Sequence, residues 1–136
     1  MTTYKQAAKA VAWVVFFHII GLIALYSWYP GYDIFMHFAG GVAMALLAFA
    51  IFDHQIKGVT FKSKQTWVKR LFYFFVVVGF VMLIGVAWEW HEFISDQLLA
   101  PFFHWTIPAQ PSVADTMKDL FDDFLGAVCV VLWRGL

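Results

Sequence analysis

Acidic side chains recur at helical spacing in an apolar segment near the C-terminus. Asp115, Asp119 and Asp122 fall within about 60° of one another at about 100° per residue. Gly126 continues this stripe, and Asp123 lies at its edge. A charged side chain at the centre of a membrane helix costs about 2.5–3.5 kcal/mol on insertion scales. A row of carboxylates in such a helix therefore predicts a functional polar centre.

Two further pairs of polar residues have helical spacing. Asp33 and His37 are four residues apart. Glu89 and Glu92 are three apart, so each pair shares one helix face. Like the aspartate stripe, each of these stripes continues into a glycine, which predicts three helices packed closely beneath a shared polar chamber. The glycines are Gly40, Gly85 and Gly126.

The chamber is expected to hold a divalent cation or shared protons, because its only basic groups are His37, with a contribution from Lys118 or His91. Carboxylates with an imidazole suit Zn²⁺, Mn²⁺ or Fe²⁺, and an all-oxygen subset suits Mg²⁺ or Ca²⁺. No organic cofactor is expected. The candidate metal ligands are Asp33, His37, Glu89, Glu92, Asp115, Asp119 and Asp122, and the candidate catalytic residues are Asp119, Glu89 and His37.

Structural roles for the same side chains stay open. One alternative for Asp33 and Asp115 is that they are ordinary helix N-terminal residues, whose negative charge complements the helix dipole. Glu92 and Asp96 could simply be solvated at the membrane interface. His18, central in the first apolar run, is expected to be buried and hydrogen-bonded. The residues expected to be solvated are His91, His104 and Asp123.

The composition predicts a membrane protein. Of the 136 residues, 62% are hydrophobic and 13% are charged, and the mean hydropathy is +0.75. No ordinary soluble domain has this balance. A net charge of zero offers no electrostatic footprint for nucleic acid. The single cysteine, Cys129, lacks partners for a disulfide or a cysteine metal site and is expected only to pack.

Four apolar runs predict an all-α fold, a polytopic membrane protein with four transmembrane helices. Each run has about 20 residues, enough to cross a hydrocarbon core of about 30 Å. Residues 1–136 are expected to form a single transmembrane domain. Residues 94–113 contain three prolines and an aromatic run, which predicts an interfacial connector before the last helix. The spans are expected at residues 10–29, 33–53, 70–93 and 114–134.

The distribution of basic residues predicts the orientation. Those at both termini and in the linker 54–70 fall on one side of a four-span topology, and only Lys118 falls on the other. The positive-inside rule then places the N- and C-termini in the cytoplasm, in a multi-pass protein of the cell (inner) membrane. Every acid except Asp53 lies toward the outer side.

Three motifs resemble a known family, the small bacterial membrane proteins of the YjdF type, and more loosely the VanZ-like proteins. The resemblance covers the last three spans in order, and the third motif is the most specific. It implies a compact helical membrane domain linked to the cell envelope or its lipids. The chain departs from the families in its four spans and its Asp122-Asp123 pair. The motifs are Asp33-x3-His37-Phe38-x-Gly40-Gly41, Glu89-x2-Glu92 and Asp115-Thr116-x2-Asp119-x6-Gly126-Ala127.

Three functions fit these observations. The first is a metal-dependent enzyme that hydrolyses a lipid-linked or cell-envelope substrate, with residues 100–111 as a lid. The second is a proton- or ion-coupled carrier, which at this size would need a homo-oligomer. The third is a non-catalytic membrane subunit. The expected partners are membrane lipids and a lipid-linked substrate, and no nucleic acid.

Overall fold

The structure is all-α, as predicted. The computed structural model describes residues 3–29, 31–58, 66–104 and 108–135, with the backbone alone for residues 53–58 and 66. These residues form helices and no strand. The helices are α1 (Tyr4–Ile20), α2 (Tyr26–Trp28), α3 (Tyr32–Gly58), α4 (Thr66–Ile94), α5 (Ala100–Phe103) and α6 (Val113–Trp133), with π-helical turns at Gly21–Leu25 and Ser95–Leu99.

α1 begins ahead of the predicted first span because a capping box starts it. Oγ1 of Thr3 accepts the backbone N–H of Gln6, and the Gln6 side chain accepts the backbone N–H of Thr3. The helix then runs through the first π-helical turn into α2. A Cβ at Gly21 would meet the rings of Tyr26 and Tyr32 at 2.5 Å, so glycine is needed where this turn packs on them.

The predicted linker 54–70 is mostly helical where it is described. α3 continues to Gly58 and α4 begins at Thr66, so both helices are longer than their predicted spans. The centre of the predicted basic linker, residues 59–65 with Lys62 and Lys64, lies outside the described residues.

The helix that contains the predicted third span, residues 70–93, continues past residue 93. It passes through the second π-helical turn into α5, which ends at Phe103. Pro101 falls in the first turn of α5, directly after the π-helical turn. The predicted interfacial connector is therefore helical in its first half. Its residues 105–107 lie outside the described residues.

Three helical stretches among the described residues are long and apolar enough to cross a membrane: Tyr4–Trp28, Tyr32–Phe52 and Trp67–Phe103. α6 has 21 residues, which at 1.5 Å per residue is about 30 Å, but five of its first eleven residues are charged. It fits the predicted fourth span by length and not by composition. The molecule is a multi-pass helical membrane protein, and four crossings stay a prediction.

Two glycines bring α3 and α6 into backbone contact. A Cβ at Gly126 would overlap the carbonyl oxygen of Phe38, and one at Gly41 would overlap the carbonyl oxygen of Asp123. Small residues allow such close approach between membrane helices. The close packing predicted at Gly126 is confirmed, although Gly41 rather than Gly40 forms the other side of the crossing.

Below this crossing, α3, α4 and α6 share an apolar core. The rings of Phe49 and Tyr73 stack with centroids 6.3 Å apart. The guanidinium of Arg134 lies 4.9 Å above the Phe49 ring, so the C-terminal end of α6 is anchored here. Cys129 lies on the exposed side of α6, opposite this core. The buried members are Ala45, Ala48, Phe49, Tyr73, Val77, Val78, Val81, Ala127, Val130 and Val131.

α1 is peripheral. In the most apolar stretch of Tyr4–Trp28, only 6% of the residues are buried, against 39% in that of Tyr32–Phe52. It is attached to α3 through the hydroxyl of Tyr32, which donates to the carbonyl oxygen of Phe17 at 2.7 Å. α1 thus lies on α3, and it also touches α4 where the ring of His18 meets that of Trp88 edge to face, with centroids 5.1 Å apart.

Candidate metal centre

Polar side chains from three helices converge at the end of the bundle opposite the apolar core. α3 contributes its first two turns, α4 its last two, and α6 its first three. Few basic groups accompany these acids, so the region is rich in negative charge. We call it the acidic end, and it comprises residues 32–37, 88–96 and 110–123.

His37 lies at the centre of the acidic end and is buried. Its Nε2 lies 3.7 Å from Oδ1 of Asp33, one turn earlier on α3. Its Nδ1 lies 3.6 Å from Oδ2 of Asp123 on α6. The imidazole therefore stands between two carboxylates that come from different helices.

Two groups of potential metal ligands meet at His37. In the first, Asp33, His37 and Asp119 each offer a ligand atom, and these atoms lie within 4.8 Å of one another. In the second, the same holds for His37, Glu89 and Glu92. The structure thus brings together five of the seven predicted ligands, which are His37 and four carboxylates around its imidazole.

Lys118 supplies positive charge to the first group. Its Nζ lies 2.9 Å from Oδ1 of Asp115, 3.0 Å from Oδ1 of Asp119 and 3.3 Å from Oδ2 of Asp33. The contacts with Asp115 and Asp33 are hydrogen bonds, whereas the contact with Asp119 is an ion pair at an angle unsuited to one. One ammonium therefore counters three carboxylates on this side of His37.

Glu89 in the second group forms no ion pair with a lysine or arginine of the described ranges. Its side chain is 3% exposed. Oε2 accepts a hydrogen bond from Nε2 of Gln110 at 3.0 Å, whereas Oε1 is buried without a hydrogen-bond partner among the described residues. Its neighbour Glu92 accepts the indole N–H of Trp88 at 2.9 Å. A buried oxygen without a partner is costly, and a bound cation would satisfy it.

Asp96 fixes the segment that covers Glu89. Its Oδ1 accepts the backbone N–H of Ala109 at 2.9 Å, and its Oδ2 accepts that of Gln110 at 2.8 Å. Both are charge-assisted bonds, the stronger kind. They hold the Gln110 side chain over Glu89, so residues 108–112 act as a cover on this part of the acidic end. We call them the cover segment.

Asp123 is buried, whereas the sequence predicted that it would be solvated. It is 6% exposed and faces His37. Gly40 and Gly85 provide the space for its carboxylate: a Cβ at Gly85 would lie 2.6 Å from Oδ2, and one at Gly40 would lie 3.7 Å from Oδ1. The prediction was wrong because α6 packs against α3 and α4 together, so its buried face is wide enough to include neighbouring positions.

The two remaining predicted ligands lie outside both groups. Asp115 is half-buried and is held by Lys118. Asp122 is buried, with Oδ2 lacking a hydrogen-bond partner among the described residues. Asp33 and Asp115 also stand in the first turns of α3 and α6, where the helix-dipole role applies as well.

His18, His91 and His104 lie as predicted. His18 is partly buried, and its Nδ1 shares a hydrogen bond of 2.8 Å with the hydroxyl of Tyr26. His91 and His104 are exposed. Gln110 is the polar contact that the sequence analysis missed. An amide between two prolines in a connector gives no periodic signal, so only the folded path of the chain reveals its contact with Glu89.

A cavity of about 180 Å³ adjoins the acidic end. Its wall consists of apolar side chains of α1, α3 and α4, with a few polar groups. Val15 on α1 and Ile84 on α4 line it and are exposed, so it opens through a gap between these helices beside the contact of His18 with Trp88. The polar groups on its wall are His18, Tyr26, His37 and Asp123.

The chain belongs to the DUF2238 family of predicted membrane proteins, whose model matches residues 4–136. No curated protein and no solved structure matches the chain. The family match agrees with the apolar helices in identifying a multi-pass membrane protein.

Proposed function

We propose that this member of the DUF2238 family binds one divalent cation at the acidic end, with His37, Glu89 and Glu92 as its ligands. The observation that supports this most directly is Oε1 of Glu89, a buried carboxylate oxygen without a hydrogen-bond partner in the described part of the chain. It belongs to a group of three potential ligand atoms within 4.8 Å of one another. Two carboxylates and one imidazole leave coordination positions for water, as in catalytic metal sites.

We choose this group over Asp33, His37 and Asp119 because of Lys118. The ammonium already lies 3.3 Å from Asp33 and 3.0 Å from Asp119, so a cation there would meet a positive charge. Asp33 then serves to hold Lys118 and to orient His37, and Asp119 pairs with Lys118. The imidazole favours Zn²⁺, Mn²⁺ or Fe²⁺ over Mg²⁺.

The chemistry that we infer for such a centre is hydrolysis. A metal lowers the pKa of a bound water, which can then attack an ester, amide or phosphoryl group. Glu89, Asp119 and His37 are the proposed catalytic residues: Glu89 and His37 would hold the metal, and the carboxylate of Asp119, within 4.8 Å of a His37 ring nitrogen, would accept the proton of that water. The substrate is a lipid-linked or envelope molecule. Two features support a substrate of this kind: the cover segment over Glu89 and the cavity beside His37.

A proton relay is the second candidate, and one observation favours it. His37 lies between Asp33 and Asp123, at 3.7 and 3.6 Å from its two ring nitrogens. Asp123 in turn lines the cavity. An imidazole between two carboxylates can pass a proton from one to the other, as in proton-coupled carriers.

The finer affiliation and topology are further proposals. The three motifs support a relationship to the YjdF-type and VanZ-like proteins. The distribution of basic residues supports the inner membrane, with both termini in the cytoplasm and the acidic end facing outward. A homo-oligomer is proposed only together with the carrier function, and a partner subunit only together with a non-catalytic subunit role.

Metal analysis of the purified protein tests the proposal. The full chain in detergent is stripped with a chelator, supplied in turn with Zn²⁺, Mn²⁺, Fe²⁺ and Mg²⁺, and measured by calorimetry and elemental analysis. We expect one equivalent of metal in the wild type and its loss in His37→Ala and Glu89→Gln. His91→Ala is the matched control, because His91 is an exposed histidine on α4, and it should keep the full equivalent.

Two results would count against the metal centre. A wild-type protein that binds no more metal than His37→Ala overturns it outright. A metal-free protein in which Asp33→Asn and Asp123→Asn both abolish proton flux in liposomes would favour the relay instead.

A further inference from the structure

We propose that the cavity between α1 and α4 holds one acyl chain of a bilayer lipid, which enters sideways through the gap between these helices. The proposal that the cavity binds a lipid does not depend on the proposed metal centre. The inference that this lipid class supplies the substrate rests on the proposed function. The argument uses the wall of the cavity, its opening, its size and the position of its polar groups.

The wall of the cavity matches a hydrocarbon chain. α1 contributes Val11, Val14 and Val15, and α4 contributes Val81 and Ile84. Such a wall offers no polar partner along most of its length, so water there would lack the two to four hydrogen bonds that buried water makes. An apolar occupant is therefore favoured over solvent.

The opening faces lipid. Val15 is 51% exposed and Ile84 is 37% exposed, and they lie on opposite sides of the gap. Both belong to stretches long and apolar enough to cross a membrane, so the gap lies at the depth of the hydrocarbon core. The medium outside such a gap is acyl chain, and no soluble ligand has direct access.

The size fits one chain and excludes a second helix. A dry apolar cavity of roughly 150 Å³ is known to accommodate benzene, so the volume of about 180 Å³ accommodates a segment of about six to eight chain carbons. An α-helix with its side chains is about 10–12 Å across and would not fit. A second copy of the chain is therefore not the occupant.

The polar groups lie where the polar part of a lipid would be. His37 and Asp123 face one part of the cavity, and the hydrogen-bonded pair of His18 and Tyr26 faces it from α1 and α2. His37 also belongs to the proposed metal group. A chain seated in the cavity would thus bring its ester linkage toward His37, which assigns acyl lipids as the substrate class of the proposed hydrolase.

Photo-crosslinking in lipid nanodiscs tests this inference. The wild-type full chain is reconstituted with a phospholipid that carries a diazirine in one acyl chain, and the labelled residues are identified by mass spectrometry. We expect label at Met36 and Met44, which line the cavity, in addition to background label at Leu83, which is exposed on α4. Label at Leu83 without label at the two methionines overturns the proposal.

A filling variant gives the second measurement. Val14→Phe places a ring in the cavity, and we expect the label at Met44 to fall about fivefold or more. Ile19→Phe is the matched control, because Ile19 is exposed on α1 outside the cavity, and its label should stay within about twofold of the wild type. An undiminished label in a folded Val14→Phe protein overturns the proposal.

The metal titration of the same Val14→Phe protein separates the two proposals. We expect it to retain the wild-type equivalent of metal while it loses the lipid label. Loss of label with metal retained supports a lipid site beside an intact metal centre. Label at the methionines in a wild type that binds no metal would leave the acyl-chain site standing and remove only its link to hydrolysis.

Discussion

Nδ1 of His37 faces Oδ2 of Asp123 at 3.6 Å across the interface of α3 and α6. The other ring nitrogen faces Oδ1 of Asp33 at 3.7 Å. Both separations exceed the usual hydrogen-bond length of about 2.7–3.2 Å. Small movements of α3 against α6 therefore decide which carboxylate can form a hydrogen bond with the ring. The glycines at this interface set the distance between the two helices and so the geometry of the site.

Gly85→Ala should disturb the site through Asp123. The added methyl would lie 2.6 Å from Oδ2 of Asp123, too close for any contact, so the carboxylate must leave its place beside His37. We expect the free energy of unfolding in detergent to fall by about 1–3 kcal/mol. Gly79→Ala on the same helix is the control, because nothing lies within 4 Å of that position. An equal decrease in the free energy of unfolding in the two variants would contradict the close contact between Gly85 and the Asp123 carboxylate.

Gly126→Ala should separate α3 from α6. Its methyl would overlap the carbonyl oxygen of Phe38, and backbone cannot move aside as a flexible side chain can. We expect a lower melting temperature and a loss of at least about 1–3 kcal/mol in the free energy of unfolding. A melting temperature equal to that of Gly79→Ala would show that the helices do not cross there.

Lys118→Met should leave the carboxylates of Asp33, Asp115 and Asp119 without a counter-ion. Because Lys118 is partly exposed, we expect a loss of about 1–3 kcal/mol in the free energy of unfolding, below the full effect of breaking a buried pair. Added Mn²⁺ or Zn²⁺ should restore part of it by binding at Asp33 and Asp119. Thermal unfolding with chelator and with metal measures both effects.

Lys5→Met is the matched control for Lys118→Met. Lys5 is exposed in the first turn of α1, so its removal should change the free energy of unfolding by less than about 0.5 kcal/mol. If metal stabilised both variants equally, the effect would not come from the site that Lys118 fills.

Asp96→Ala should release the cover segment. Its carboxylate accepts the backbone N–H groups of Ala109 and Gln110, and charge-assisted bonds of this kind contribute about 1.5–3 kcal/mol. We expect hydrogen exchange at these two amides to accelerate about ten- to hundredfold. Asp96→Asn keeps one acceptor oxygen and should have an intermediate effect. Unchanged exchange in Asp96→Ala would show that other contacts hold the segment.

The long apolar runs explain why the fold was predictable. Length and hydropathy are local properties, and they identify α1, α3 and α4 whatever their partners. The pairs Asp33/His37 and Glu89/Glu92 were placed correctly on shared faces because helical spacing is also local. The extension of α4 through a π-helical turn was missed, because proline in the first turn of a new segment reads in sequence as a stop.

The rest of the site depends on contacts between distant parts of the chain. Periodicity alone placed Asp123 at the edge of its stripe, but which edge is buried depends on where α3 and α4 lie against α6. Gln110 reaches Glu89 only because Asp96 holds its backbone. Neither relationship has a signal in the local sequence.

The polar face of α6 also constrains how the protein is made. Alone in a bilayer, this helix would expose Asp119, Asp122 and Asp123 to lipid, each at an insertion cost of up to about 2.5–3.5 kcal/mol. α3 and α4, which pack against these acids, precede α6 in the chain and are synthesised first. They can therefore be in the membrane before α6 inserts. A circular permutant that begins with α6 would have to insert this helix before its partners, although its finished contacts would be the same.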